Sequence, residues 1–193
     1  NQWYDQTLTS LHASLQKLQT PYLDSFLIHW PGQNHERMLS TWAAMEQAYQ
    51  EGLVRSIGVC NFEISQLEFL LDHCRVAPMI DQVEHTPLLH DTKLLSFCEQ
   101  RGMRVMAWAP LLRGKFGEEI DRIAEKYQKT PAQILLRWNV QQGIIPIPKS
   151  KNPDRLAENI AVFDFALQPE DMDALNHMHT GHRTSHDPLT FDF

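Results

Sequence analysis

Apolar and polar positions along this chain alternate between two rhythms. Leu8, Leu11, Leu15 and Leu18 recur at the spacing of one face of a 3.6-residue helix. The run YLDSFLIHW (22–30) is too short and too continuous for such a helix and reads as a buried strand. The alternation then repeats. A helix about Met38, Trp42, Met45 and Tyr49 leads into SIGVCNF (56–62), and one about Leu67, Leu70 and Leu71 into MIDQVEH (79–85). A helix from Asp91 to Gly102 precedes MRVMAWAPL (103–111), with Asp as N-cap and Gly just past the end. Helices about Ile120, Ile123 and Tyr127, and from Thr130-Pro131 through Trp138, precede GIIPIPKS (143–150). Its prolines weaken that strand unless they lie where no ladder hydrogen bond is needed. Asn152-Pro153 caps the next helix, and helical pattern continues to about Met178.

Five strand–helix units without a linker imply a parallel α/β sheet with helices outside, in one domain over 1–193. A doubly wound open sheet and a (β/α)8 barrel both satisfy the periodicity, and the GxGxxG that favours the first is absent. The final GHRTSHDPLTFDF is polar and reads as a loop or tail. Composition narrows the field a little. A net charge of -7 argues against a general nucleic-acid surface. No apolar run approaches the ~20 residues of a membrane helix, and NQWYDQ shows no signal-peptide pattern. Cys60, Cys74 and Cys98 are odd in number and form no CxxC, which points away from disulfides and thiolate zinc and towards a cytoplasmic, reducing setting.

Each apolar run closes on its C-terminal side with groups that hydrogen-bond or stack: His29 and Trp30, Cys60 and Asn61, Gln82 and Glu84, Trp108, Lys149 and Ser150. A barrel gathers such ends on one face, and an open sheet lines a crevice with them. Polar groups there need partners, so a ligand is expected. The stretch IIPIPKSKNPDR (144–155) is the most specific. Strand, Lys-Ser-Lys, Asn cap, Pro and first-turn Arg make an anion site, with free helix N–H donors and formal positive charge. A solvated basic helix start is the plainer alternative.

With these residues in view, LDSFLIHWP, IGVCNF, DQVEHTPLL, AWAPLLRGK and IPKSKNPDRLAENI, in that order over about residues 5 to 165, resemble the aldo-keto reductases. The nearest subgroup is the bacterial and protozoan reductases of small dicarbonyl and keto-sugar substrates. The resemblance implies a (β/α)8 TIM barrel, NADPH as cofactor, and reduction of an aldehyde or ketone to an alcohol. It implies His29 as the active-site histidine that orients the carbonyl, and Trp30 as pocket wall. Cys60, Asn61 and Gln82 take the place of the nicotinamide carboxamide ligands, with Cys60 where the family often has Ser. A nucleophilic Cys60 has no neighbouring base in the sequence.

Trp108 takes the place of the aromatic residue that stacks on the nicotinamide, and Ala109, Leu111 and Arg113 fall in the loop near the pyrophosphate. Lys149, Ser150, Lys151, Asn152 and Arg155 match the adenosine 2'-phosphate site, and Glu158 and Asn159 the adenine contacts. Arg155 can engage phosphate with two parallel bonds, which favours NADPH over NADH. The tail, 180–193, is implied to close over the barrel mouth.

The family's proton-donating Tyr, with its Lys and Asp, lies on earlier barrel strands, and Tyr4, Tyr22, Tyr49 and Tyr127 do not match its motif. The expectation is therefore about the last five β/α units of a barrel, completed by N-terminal strands or another chain, acting on a small carbonyl compound. A non-catalytic NADPH-binding or regulatory subunit is the alternative. A metal-dependent hydrolase is the weaker rival: of the 10 His, the one HxH is His177-Met178-His179 near the tail, and no metal site is expected.

Overall fold

Each of the five apolar runs becomes a strand in the computed structural model, which describes residues 2–192. Asn1, and Phe193 at the end of the expected tail, lie outside the described residues. The strands are β1 (Phe26–Ile28), β2 (Ile57–Cys60), β3 (Ile80–Glu84), β4 (Arg104–Trp108) and β5 (Ile145–Pro146). They form a five-stranded sheet in chain order, and the register pairs are parallel. The helices are α1 (Tyr4–Leu18), α2 (His35–Gln50), α3 (Ile64–His73), α4 (Thr92–Gln100), α5 (Glu118–Tyr127), α6 (Pro131–Gln141), α7 (Pro153–Ile160) and α8 (Pro169–Asn176). The α/β expectation is met, and five parallel strands are the part of the (β/α)8 expectation that these residues display.

Register decides which side chains share a face. Ile28 pairs with Val59, and Val59 with Asp81. One step further on, Cys60 pairs with Gln82, and His29, the residue after Ile28, continues that row. Gly58 makes the close approach of β2 and β3 feasible, since a Cβ there would stand 2.5 Å from the Ile80 carbonyl oxygen. β5 is only two residues long for the reason its sequence announced. Pro146 and Pro148 have no N–H, and the intervening Ile147 donates to the Ala107 carbonyl at 3.0 Å.

The chain divides into two compact units. The first comprises Asn1–Gln82, Lys93–Arg104 and Ser185–Phe193. Its core takes Leu11 and Leu15 from α1, Met38, Trp42 and Met45 from α2, Ile57 and Val59 from β2, and Leu67 and Leu70 from α3, all buried. The Leu8–Leu18 stripe needs correcting at its end. Leu18 is 65% exposed because α1 stops there, Gln19 turning into the left-handed region, while Thr7 completes the buried face. The second unit comprises Val83–Thr92 and Val105–Thr184. Ile120 and Ile123 of α5, Ile134, Leu135 and Trp138 of α6, Leu167, and Leu175 of α8 form its core. Thr130 starts α6 as a capping box with Gln133, as the Thr-Pro pair predicted.

Candidate active site

In the first unit, three strands are stitched together by one residue. Asn61 follows β2 in a left-handed conformation (φ 62°), which asparagine tolerates better than most residues. Its Nδ2 donates to the His29 carbonyl at 3.0 Å, and its backbone N–H donates to the Gln82 carbonyl at 2.9 Å. The row His29–Cys60–Gln82 is thereby fixed just past β1, at the carboxyl end of β2 and midway along β3. His29 is exposed and Gln82 half-buried, whereas Cys60 is buried. Burial, with the Asp81 charge adding, pushes the Cys60 thiol up to about 12. It therefore stays protonated near neutral pH, which closes the nucleophilic role. Asp81 itself lies fully buried in β3 with neither carboxyl oxygen hydrogen-bonded.

Trp30 is buried, and the end of the chain packs on it. Phe191 meets it edge-on with ring centroids 4.8 Å apart, and His186 stacks on Phe191 at 4.1 Å. Gln33 Nε2 donates to the Leu189 carbonyl (3.0 Å), Gln66 Nε2 to the Pro188 carbonyl (3.1 Å), and Arg37 pairs with Asp192 (2.7 Å). A stretch whose composition reads as a solvated tail is thus tied down by aromatic and ion-pair contacts and by two of its backbone carbonyls.

In the second unit, half-buried Trp108 ends β4 and a strained loop follows. Ala109, Leu112 and Arg113 all have positive φ (49°, 49° and 54°), held by N–H bonds from Leu112 to Ala109 and from Gly114 to Leu111. Non-glycine residues in this region cost of order 1–3 kcal/mol each, and such strain concentrates at functional loops. Arg113, exposed on this loop, donates to the Thr184 carbonyl at 3.2 Å.

The N-terminus of α7 corrects one expectation. Pro153 brings no N–H, Asn152 Oδ1 accepts from Asp154 (2.8 Å) and Arg155 (3.3 Å), and the Asn152 carbonyl accepts from Leu156. The first-turn amides are taken, so an anion here meets side chains rather than free helix donors. Those side chains stand ready: Lys149, Lys151 and Arg155 are exposed, and among the described residues none of the three forms an ion pair. Ser150 Oγ caps the Asn152 N–H at 3.1 Å. Half-buried Glu158 accepts from the Thr130 hydroxyl at 2.7 Å, a structural duty the adenine assignment did not include, and Asn159 is half-buried beside it.

Four other histidines have structural partners. His85 Nδ1 lies 2.9 Å from Asn139 Oδ1, and its ring stacks on Trp138. His179 accepts from the His90 N–H, and His177 contacts the Asp173 carbonyl. Among the described residues, no group of three or more His, Cys, Asp or Glu could hold a metal ion. No helix of these residues is long and apolar enough to cross a membrane.

The family described as Aldo/keto reductase matches residues 4–179. The chain belongs to that family. Glyoxal reductase of Bacillus subtilis (strain 168) is 41% identical over 190 residues, covering 97% of this chain and 68% of the relative. Methylglyoxal reductase DkgA of Yersinia pestis is 42% identical over 186 residues, covering 94% of this chain and 67% of the relative. The crystal structure of a Gox0644 mutant in complex with NADPH matches with a TM-score of 0.95 at 42% identity, covering 99% of this chain and 72% of that one. This aldo-keto reductase thus shares its sequence pattern with relatives named glyoxal and methylglyoxal reductase, and its backbone with a protein solved in complex with NADPH.

Proposed function

We propose that this aldo-keto reductase reduces a small aldehyde or ketone, of the dicarbonyl class for which its relatives are named, with NADPH. The observation that carries the reading is the His29–Cys60–Gln82 row with Asn61 locked beside it. Bound NADPH supplies a hydride. Asn61 and Gln82 present the amide donors and acceptors that match a carboxamide, while the Cys60 thiol is the weaker member of that set. Trp108 offers an indole face for the nicotinamide ring. His29, exposed at the end of β1, hydrogen-bonds the substrate carbonyl oxygen and favours the negative charge that grows there. Trp30 walls the substrate, and the segment packed on it, within the 180–193 tail, completes the wall.

The strained loop at Ala109, Leu111 and Arg113 lies along the pyrophosphate in this reading. Lys149, Ser150, Lys151, Asn152 and Arg155 take the 2'-phosphate through their side chains, with Glu158 and Asn159 near adenine. The reductase names of the relatives favour turnover over a purely regulatory role. The test titrates NADPH and NADH separately into the protein while following tryptophan fluorescence, then adds methylglyoxal and follows NADPH absorbance. Quenching by NADPH at lower concentration than NADH, with absorbance loss that His29→Ala abolishes, is expected. Equal quenching by both, or turnover indifferent to His29, would overturn the reading.

A further inference from the structure

We infer that Glu84 is a positioning residue that locks the β4–α5 loop through Thr184. Glu84 ends β3, is buried, and accepts hydrogen bonds from Thr184. The Thr184 N–H donates to both its carboxylate oxygens, at 3.0 and 3.1 Å, and the Thr184 hydroxyl donates at 2.5 Å. The carbonyl of the same residue accepts from Arg113 at 3.2 Å. All three polar groups of Thr184 are therefore engaged, two by a carboxylate and one by a guanidinium. These are charge-assisted bonds, about twice as strong as neutral ones.

Arg113 belongs to the loop in which three non-glycine residues, Ala109, Leu112 and Arg113, have positive φ angles. A loop held in strained conformations relaxes unless its surroundings over-determine it. The Glu84–Thr184–Arg113 chain is such a restraint, and all three members belong to the second unit. Opening the loop therefore requires surrendering the Arg113 bond to Thr184, and loosening Thr184 exposes the Arg183–Thr184 peptide bond. This inference rests on the proposed cofactor role of the loop. On that role, the clamp sets how fast NADPH leaves.

Glu84→Gln keeps the shape but puts an amide where two donors need acceptors. Thr184→Val removes one donor, and Thr184→Ser restores it. Two readouts separate the possibilities: trypsin cleavage after the exposed Arg183, followed by mass of the released 184–193 peptide, and the NADPH dissociation rate by stopped flow. Loss of a charge-assisted bond corresponds to about tenfold or more in an opening equilibrium. Glu84→Gln is expected to raise both rates by about that factor, Thr184→Val by less, and Thr184→Ser to return both to the parent values. Unchanged cleavage overturns the clamp, whatever the cofactor does. Faster cleavage with an unchanged NADPH rate overturns the loop-positioning role. Failure of the unaltered protein to bind NADPH overturns the proposed function, and the inference with it.

Discussion

Asn61 donates from Nδ2 to the carbonyl oxygen of His29 at 3.0 Å, across the ends of two neighbouring strands. The bond makes an asparagine both a proposed carboxamide ligand and the fixture that sets the height of the histidine. Two substitutions separate these duties from the backbone. Asn61→Gly keeps the left-handed φ but loses the amide, and Asn61→Ala loses both. Either is expected to weaken NADPH binding about tenfold. Ala should be less stable than Gly by about 1 kcal/mol, read by urea unfolding, because only Ala strains at φ 62°. Equal stabilities would show that the backbone relaxes on substitution.

Arg155 should discriminate between dinucleotides. Arg155→Ala is expected to raise the NADPH dissociation constant by about tenfold or more while leaving that of NADH nearly unchanged. Parallel fluorescence titrations check it, and equal losses for both dinucleotides would remove Arg155 from phosphate recognition.

Asp81 ties stability to pH. Burial pushes its carboxyl well above the usual carboxylate range and the Glu63 charge adds to this, while the Phe62 amide pulls the other way without satisfying either oxygen. The folded protein therefore keeps a proton that the unfolded chain has already lost. The stability this lends is fullest below about pH 4, the unfolded value, and drains away as pH rises through the folded one. Asp81→Asn should flatten that decline, matching the parent near pH 4 and exceeding it near pH 8, in urea melts across about that range. A parent whose stability holds level while the variant's does not would contradict the assignment.

His85 works in the opposite sense. Asn139 Nδ2 donates to the Leu135 carbonyl, so its Oδ1 faces His85, whose Nδ1 carries the proton and whose Nε2 is buried without a partner. Burial pushes this histidine from 6.5 down to about 4. Its stabilising contribution is present above pH 6.5 and is lost as pH falls towards 4, on the order of 3 kcal/mol in all. His85→Gln should lose less stability than the parent over that interval. Chemical denaturation at the two ends measures the difference.

How much of this was legible beforehand follows from what periodicity encodes. The five strands and the caps at Thr130 and Asn152 were plain, because apolar runs and Asn-Pro or Thr-Pro pairs act locally. The strand-end residues were also visible, since register turns chain position into a face. Three things were not. The fate of the α7 amides depends on a rotamer of Asn152, which sequence leaves open. The burial of Asp81 and the Asn139 partner of His85 are tertiary, separated by tens of residues or by a sheet face. The ordering of the terminal segment runs partly through backbone carbonyls, which every residue possesses alike, and partly through pairs such as Phe191–Trp30 and Asp192–Arg37 that lie at least 155 residues apart.

Because Asn152 saturates the opening turn of α7, phosphate recognition proposed at that corner falls to long cationic arms standing in solvent. Attraction of that kind fades within a Debye length, about 8 Å at physiological ionic strength and shorter in brine. Selectivity between the two dinucleotides then becomes partly a property of the surrounding electrolyte. A preference measured in dilute buffer will overstate the one measured at higher ionic strength.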